Sequence, residues 1–419
     1  MNKLVELIQE LCPNGVSFVD LGECVKAVSN IRWRENGDKA YQYIDLTSVD
    51  IETHNIHDTQ EIDKSNAPSR AQQIVCSEDV LLGTTRPLLK RFCLVPAEYD
   101  GDICSTGFCV LRADSNRVLP SWLFHLISST DFFTYVERVQ QGTSYPTITD
   151  AAVKAYRIPL PPIEVQREIV RILDNFTELT AELTAELTAR KKQYEYYRDK
   201  LLTFDVFGGG TNRLEWKTLG ESIISLSTGL NPRQFFKLNT EDAKNYYVTI
   251  REIQNGTIVF SEKTDRINDE ALSLCNNRSH LEVGDVLFSG TGTIGETAIV
   301  SEVPTNWNIK EGVYAIKPKR ELLNSRYLMY LLRTRYMQLA ISKKVAGGTV
   351  KSIPMGDMRK LQIPVPDITV QESIVSILDR FDALCNDLTS GLPAEIAARQ
   401  KQYEFYRDKL LTFKERLTI

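Results

Sequence analysis

Two fifteen-residue blocks of this chain are almost the same. Arg190 to Phe204 reads RKKQYEYYRDKLLTF and Arg399 to Phe413 reads RQKQYEFYRDKLLTF, differing only at Lys191/Gln400 and Tyr196/Phe405. A match that close, about half a chain apart, marks a tandem duplication and restricts the chain to a fold made of one unit used twice. The likeness begins earlier than the blocks. Ile158-Pro159-Leu160-Pro161 returns as Ile363-Pro364-Val365-Pro366, and Gln166, Ile169, Leu173, Asp174 and Phe176 return as Gln371, Ile374, Leu378, Asp379 and Phe381, a shift of 205. By Tyr194 and Tyr403 the shift is 209, so the second copy holds four extra residues, read here as one more helical turn. Upstream the likeness is loose: Leu21-Gly22-Glu23 with Leu219-Gly220-Glu221, and Asp79-Val80-Leu81 with Asp285-Val286-Leu287. Each unit therefore has a divergent head and a near-identical tail. The expected boundaries are heads at 1–157 and 208–362 and tails at 158–207 and 363–419.

The tails read as long helices with a coiled-coil seam. Val165, Ile169, Ile172, Phe176, Leu179 and Leu183 follow steps of four and three, the rhythm of an a/d heptad. A further step of four reaches Leu187, a stutter, before Arg190, Tyr194 and Tyr197 resume the pattern. The second tail runs Val370, Ile374, Ile377, Phe381, Leu384 and Leu388, then through Leu392 and Ile396 to Arg399, Tyr403 and Tyr406. Gly391 and Pro393 should kink or break it. Each helix alone would expose its seam, so the two are expected to pair antiparallel as a rod with a head at each end, related by a pseudo-twofold axis. The competing expectation is that each helix packs on its own head. Glu178 to Ala189 reads ELTAELTAELTA. One such unit is worth about 6 Å of helix, which suits a ruler.

The chain has 42% hydrophobic and 25% charged residues, a net charge of −5 and 419 residues, the mark of a soluble globular protein of two or more domains. That charge argues against an indiscriminate nucleic-acid binder but leaves room for local basic surfaces. No signal peptide and no apolar run of about 18 residues is evident, so no membrane span is expected. The eight cysteines form no C-x-x-C pair and are read as reduced thiols of a cytosolic protein.

The heads alternate short apolar runs, such as Tyr41 to Leu46, Asp79 to Leu82, Tyr246 to Ile250 and Val313 to Ile316, with one amphipathic helix each, Ser121–Glu137 and Ser325–Lys343. This mixture is α+β. Gly290 to Gly295 fits G-x-G-x-x-G, but a β-like run follows instead of a helix, so a tight hairpin is expected rather than a nucleotide loop. Several segments carry side chains able to bond base edges and phosphates. In the first head these are Arg32, Trp33 and Arg34; Thr84, Thr85, Arg86, Lys90 and Arg91; and Thr143, Ser144 and Tyr145. In the second they are Arg233 and Gln234; Ser289, Thr291 and Thr293; and Lys343, Lys344, Thr349 and Lys351. Taken singly each reads as a solvated loop. Their recurrence at corresponding places favours binding.

The four histidines, His54, His57, His125 and His280, do not recur between copies, and His54-x-x-His57 reads as a polar loop. No metal site, P-loop, repeated nuclease cluster or methyltransferase motif is found. Catalysis is expected on another chain.

A variable head, then I-P-[LV]-P-x-[IV]-x-x-Q-x-x-I-V-x-I-L-D-x-F, then the whole repeated, resembles the specificity subunit of Type I restriction–modification enzymes. The duplicated block and the T-A-E-L units resemble the IC group. The resemblance implies two globular mixed α/β target-recognition domains joined by two long antiparallel coiled-coil helices. Each would read half of an asymmetric bipartite double-stranded DNA target, the helices setting the spacer. It implies as partners two modification subunits, which carry S-adenosylmethionine and methylate adenine N6, and restriction subunits driven by ATP with Mg. This chain would carry no cofactor. A coiled-coil scaffold with two protein-binding heads is the alternative from another class.

Overall fold

The computed structural model describes residues 2–35, 39–204, 214–348, 350–387 and 389–416. Two compact units emerge, one of residues 1–182 with 396–419, the other of 183–395. The head–tail boundary expected at 207/208 lies outside the described residues, as do Thr349 and Leu388.

Both heads are built on one plan. In the first unit Ser17–Asp20 pairs antiparallel with Arg157–Leu160, and in the second Glu215–Thr218 pairs with Gln362–Val365. The I-P-[LV]-P motif, expected to open each tail at 158 and 363, is thus the strand that closes each head, and the tail helices begin only at Ile163 and Ile368. Proline is tolerated there because each ladder has only two strands.

A four-stranded antiparallel sheet follows, in the order Val25–Lys26, Phe108–Ala113, Val80–Gly83, Phe92–Leu94. Its counterpart runs Ile223–Thr228, Val313–Pro318, Val286–Ser289, Thr297–Ile299. These strands read as continuous apolar runs because both faces are buried. Val80, Leu82 and Leu111 point to a core under the helices with Trp122, while Leu81, Val110 and Cys93 point to a second core with Ile44. The second head alternates the same way, Val286 and Phe288 against Leu287 and Ala315.

A smaller mixed sheet lies beyond. Tyr41–Ile44 runs parallel to Ile103–Ser105 in the first head, and Asn245–Val248 parallel to Trp307–Ile309 in the second. The heads part company at its edge. The first adds the strand Ala71–Ile74, where the second lays a helix, Asp269–Ser279, against Trp307–Ile309.

The single helix expected late in each head is in fact two, Pro120–Ser128 with Thr130–Val139 and Ser325–Leu332 with Arg335–Ser342. The break is a cap. Ser129 Oγ accepts from the Phe132 N–H and Thr334 Oγ1 from the Met337 N–H, so each hydroxyl starts a new helix.

The first tail is one helix, Ile163–Thr203, of 41 residues. The second is broken into Ile368–Asn386 and Leu392–Leu410. The four extra residues enter the break instead of adding a turn. Asp387 accepts from the Thr389 and Ser390 N–H groups, and Pro393 sits in the first turn of the new helix, where its missing N–H costs nothing. A Cβ on Gly391 would stand 2.6 Å from the Ala383 carbonyl oxygen, so this junction needs glycine.

Within each unit a segment of one tail lies antiparallel to a segment of the other. In the first, Glu415 pairs with Arg157 at 2.9 Å while Tyr406 stacks on Phe176 at 5.4 Å. In the second, Tyr197 stacks on Phe381 at 5.9 Å.

The seam itself needs correction. Gln166, Ile169 and Leu173 bury against the first head, and Gln371, Ile374, Val375, Leu378 and Cys385 against the second. Ile377 and Leu384, placed in the seam, are 44% and 39% exposed. Ile172, Leu179, Leu183 and Leu187 are half-buried, whereas Tyr194 and Tyr403 are buried. The opening turns of each tail turn their apolar face to the head, and pairing between tails is made by the aromatic residues further on. Within each unit, then, a tail packs on its own head over its opening turns and meets a segment of the other tail further on.

Candidate nucleic-acid interface

Where strands end, backbone N–H and side-chain groups must find partners or water, and in each head three loops solve this together. In the first, the Thr84 N–H donates to the Gly107 carbonyl, Thr85 bridges to Thr147, and the Arg86 N–H donates to the Pro146 carbonyl at 2.7 Å. In the second, the Gly290 N–H donates to Gly312, Thr291 bridges to Ser352, and the Gly292 N–H donates to Lys351 at 2.9 Å. The bonds match one for one, so Thr84, Thr85 and Arg86 stand where Gly290, Thr291 and Gly292 stand. The loops at 141–147 and 346–352 close on themselves alike, by Gln141–Thr147 and Ala346–Ser352 bridges. Each offers one exposed apolar side chain at the same place, Tyr145 at 67% and Val350 at 62%.

The G-x-G-x-x-G segment is the turn between Val286–Ser289 and Thr297–Ile299, antiparallel neighbours, so the hairpin expectation holds. A helix N-terminus, which a nucleotide phosphate would need, does not follow it.

The joint gathers several of the candidates. Thr84, Thr85, Arg86, Lys90, Thr143, Ser144 and Tyr145 belong to it or flank it in the first head. Thr291, Thr293, Lys343, Lys344 and Lys351 do so in the second. Arg86 and Lys90 are exposed, and both hold left-handed backbone at φ +49° and +55°. The Arg86 guanidinium lies over the Tyr145 ring at 4.3 Å, and the Lys90 ammonium over Phe133 at 5.1 Å. Leu88, Leu89 and Pro146 complete a shallow hollow of about 240 Å³ beside Arg86.

Two candidates are spent inside the fold. The Arg91 guanidinium donates to the Leu46 and Val49 carbonyls at 3.0 and 2.9 Å, and buried Ser289 accepts from the Glu296 N–H at 2.8 Å to hold the hairpin. These internal bonds cancel their reach. Another group stands apart from the joint, on the chain entering the smaller sheet. Exposed Arg32 is paired with Glu35 at 3.5 Å, while Trp33 donates to the Ala71 carbonyl at 2.8 Å. Arg34 is exposed on the same turn. Arg233 and Gln234 are exposed on the short helix Pro232–Phe235, capped by Asn231.

His54 stacks on Phe92 at 3.8 Å, and burial holds its imidazole down to about 4. His57 meets Asp58 at 3.1 Å instead. His125 is buried between Asp174 and Tyr403, 2.9 Å from each. It joins a head helix to both tails, where Tyr330 and Arg326 reach Asp379 at 2.6 and 2.8 Å in the other unit. Sequence reasoning passed over this joint because its three members lie far apart in the chain.

On the tails, Tyr196 and Phe405 are exposed at equivalent places, with Lys200 and Lys409 over their rings at 5.5 and 5.8 Å. Neither pair fills a core, yet the duplicated block carries both.

The family model for the Type I restriction modification DNA specificity domain matches this chain twice, over residues 15–190 and 206–398. The chain is similar to the EcoR124I/EcoR124II type I restriction enzyme specificity subunit of Escherichia coli, 34% identical over 318 residues, 74% of this chain and 75% of that protein. A putative type I restriction enzyme specificity subunit of Haemophilus influenzae is 33% identical, over 70% of this chain and 72% of its own. A chain solved in work on complex assembly and conformational transition of the type I R-M system aligns with a TM-score of 0.65 at 28% identity, covering 95% of this chain and 98% of that one.

Proposed function

This chain belongs to the type I restriction–modification DNA specificity family, and on that premise we propose how its parts divide the work. It is a DNA specificity subunit, a recognition component rather than a catalyst, and it assembles with the other subunits of its system. Each head reads one half of a bipartite double-stranded target. The observation that carries this reading is one loop joint built twice with unlike residues, Thr85-Arg86 and Tyr145 in one head against Thr291-Gly292 and Val350 in the other. Matching frames with different reading edges suit two different half-sites.

The tails take the opposite role. Exposed residues that barely differ between copies, Tyr196/Phe405 and Lys200/Lys409, suit one kind of partner bound twice, which here is a pair of modification subunits. Those subunits carry S-adenosylmethionine and transfer methyl to adenine N6, with the base flipped from the stack. Restriction subunits using ATP and Mg²⁺ complete the assembly, in the cytoplasm where the DNA lies. The number of residues in the tail helices sets the gap between half-sites.

Mapping methylated adenines in cells that carry this chain with its modification subunits tests the reading. The expected result is one asymmetric split motif with a fixed gap. A continuous or palindromic motif, or none, overturns it.

A further inference from the structure

Arg86 and Gly292 occupy one position of the same joint, and the two heads use it in opposite ways. Both hold left-handed backbone, φ +49° and +83°. For glycine this is free, and a Cβ placed on Gly292 would meet nothing within 4 Å. For arginine the same backbone is strained, and strain of this kind persists only where surrounding structure holds it. Here the Pro146 carbonyl takes the Arg86 N–H and the Tyr145 ring carries its guanidinium. Tyr145 is itself exposed, so the stacked pair stands out from the surface instead of filling a core.

We infer that Arg86 is the base-reading side chain of the first head, and that it selects a guanine in one half-site. This rests on the reading of each head as a half-site reader. A guanidinium held over a ring, as Arg86 is at 4.3 Å from the Tyr145 centroid, can leave N–H groups facing outward, and they form a fixed fork of donors. The fork fits the O6 and N7 acceptors of guanine in the major groove and no other base as well. A phosphate needs no such platform, since any mobile cation serves it. The neighbours agree: Leu88, Leu89 and Pro146 give the hollow an apolar collar, suited to a base edge and not to a charged backbone. The second head has empty space at this position, so it reads without an arginine here and the two half-sites differ.

The test maps methylated sites, and measures binding to a duplex panel, for the complex assembled with Arg86→Gly, Arg86→Lys or Tyr145→Phe. Arg86→Gly installs the residue the other head uses and relieves backbone strain, so a changed specificity cannot be laid to misfolding. It is expected to relax one guanine position in one half-site, lower binding to the original duplex roughly ten- to a hundredfold, and leave the other half-site intact. Arg86→Lys should retain part of the guanine preference and Tyr145→Phe nearly all of it. Equal loss on every duplex means a phosphate contact and overturns the inference, as does an unchanged motif or relaxation at a position other than guanine. If the unaltered complex gives no split motif, the half-site reading itself has failed, and that result is separate from any variant.

Discussion

Gln166 and Gln371 each make three hydrogen bonds while fully buried. Gln166 accepts from the Leu119 N–H at 3.0 Å and donates to the Arg117 and Pro161 carbonyls at 3.0 and 2.8 Å; Gln371 does the same with Asn324, Leu322 and Pro366. One amide thus clasps the start of a tail helix to its head. Gln166→Leu should cost about 2–4 kcal/mol, because it strands buried backbone groups without partners. A urea midpoint that did not move would contradict this. His54 carries a pH prediction. Its folded value near 4 lies below the ordinary 6.5, so the unfolded chain takes the proton first as pH falls. Its contribution is complete above about pH 6.5 and is lost progressively towards pH 4, at ~1.4 kcal/mol per unit and less where solvent reaches the ring. Thermal melts of His54→Phe against the parent across that window should show a shallower decline in the variant. At this scale the sequence indicated residue types well and their burial poorly. Arg91 and Ser289 looked like surface donors because nothing local distinguishes a loop that folds inward from one that folds out.

Among the elements, strands were legible and helix faces were not. The apolar runs around Val80 and Val286 declared strands, and the structure shows both of their faces buried. The heptad rhythm of the tails declared helices, but it mixed two stripes, one for the head and one for the other tail. Ile377 and Leu384 satisfy the rhythm and stay exposed. The break at Asp387 to Gly391 was readable from glycine and proline, but the fate of the four extra residues was not, since a capped turn and a helical turn can use the same number. In the unbroken tail, ELTAELTAELTA lies wholly within Ile163–Thr203. Deleting Thr180 to Leu183 removes about 6 Å of helix and should move the preferred gap between half-sites by about one or two base pairs. Methylation mapping that returned the original gap would refute the ruler.

For the whole molecule, charge decides how it meets DNA. A net charge of −5 disfavours a strong duplex grip by the chain alone, and in the proposed assembly the partner subunits would supply most of it. The chain alone should bind duplex weakly and lose it steeply with salt, and should transfer no methyl groups; the assembled complex should bind well under the same conditions. Tight salt-resistant binding by the chain alone, in a mobility-shift titration, would count against this division. The duplication and the antiparallel pairing of tail segments were present in the sequence, because repeats and hydrophobic periods are local and survive in one dimension; the motif at 158–161 and 363–366 was read as the start of a tail, and only its pairing with Ser17–Asp20 and Glu215–Thr218 makes it the closing strand of each head. Tertiary structure alone decided which stripe of each tail faces a head, how His125 joins three distant segments, and that Arg86 and Gly292 share one place in two frames. Those facts depend on contacts between residues far apart in the chain, and no local pattern carries the distance between them.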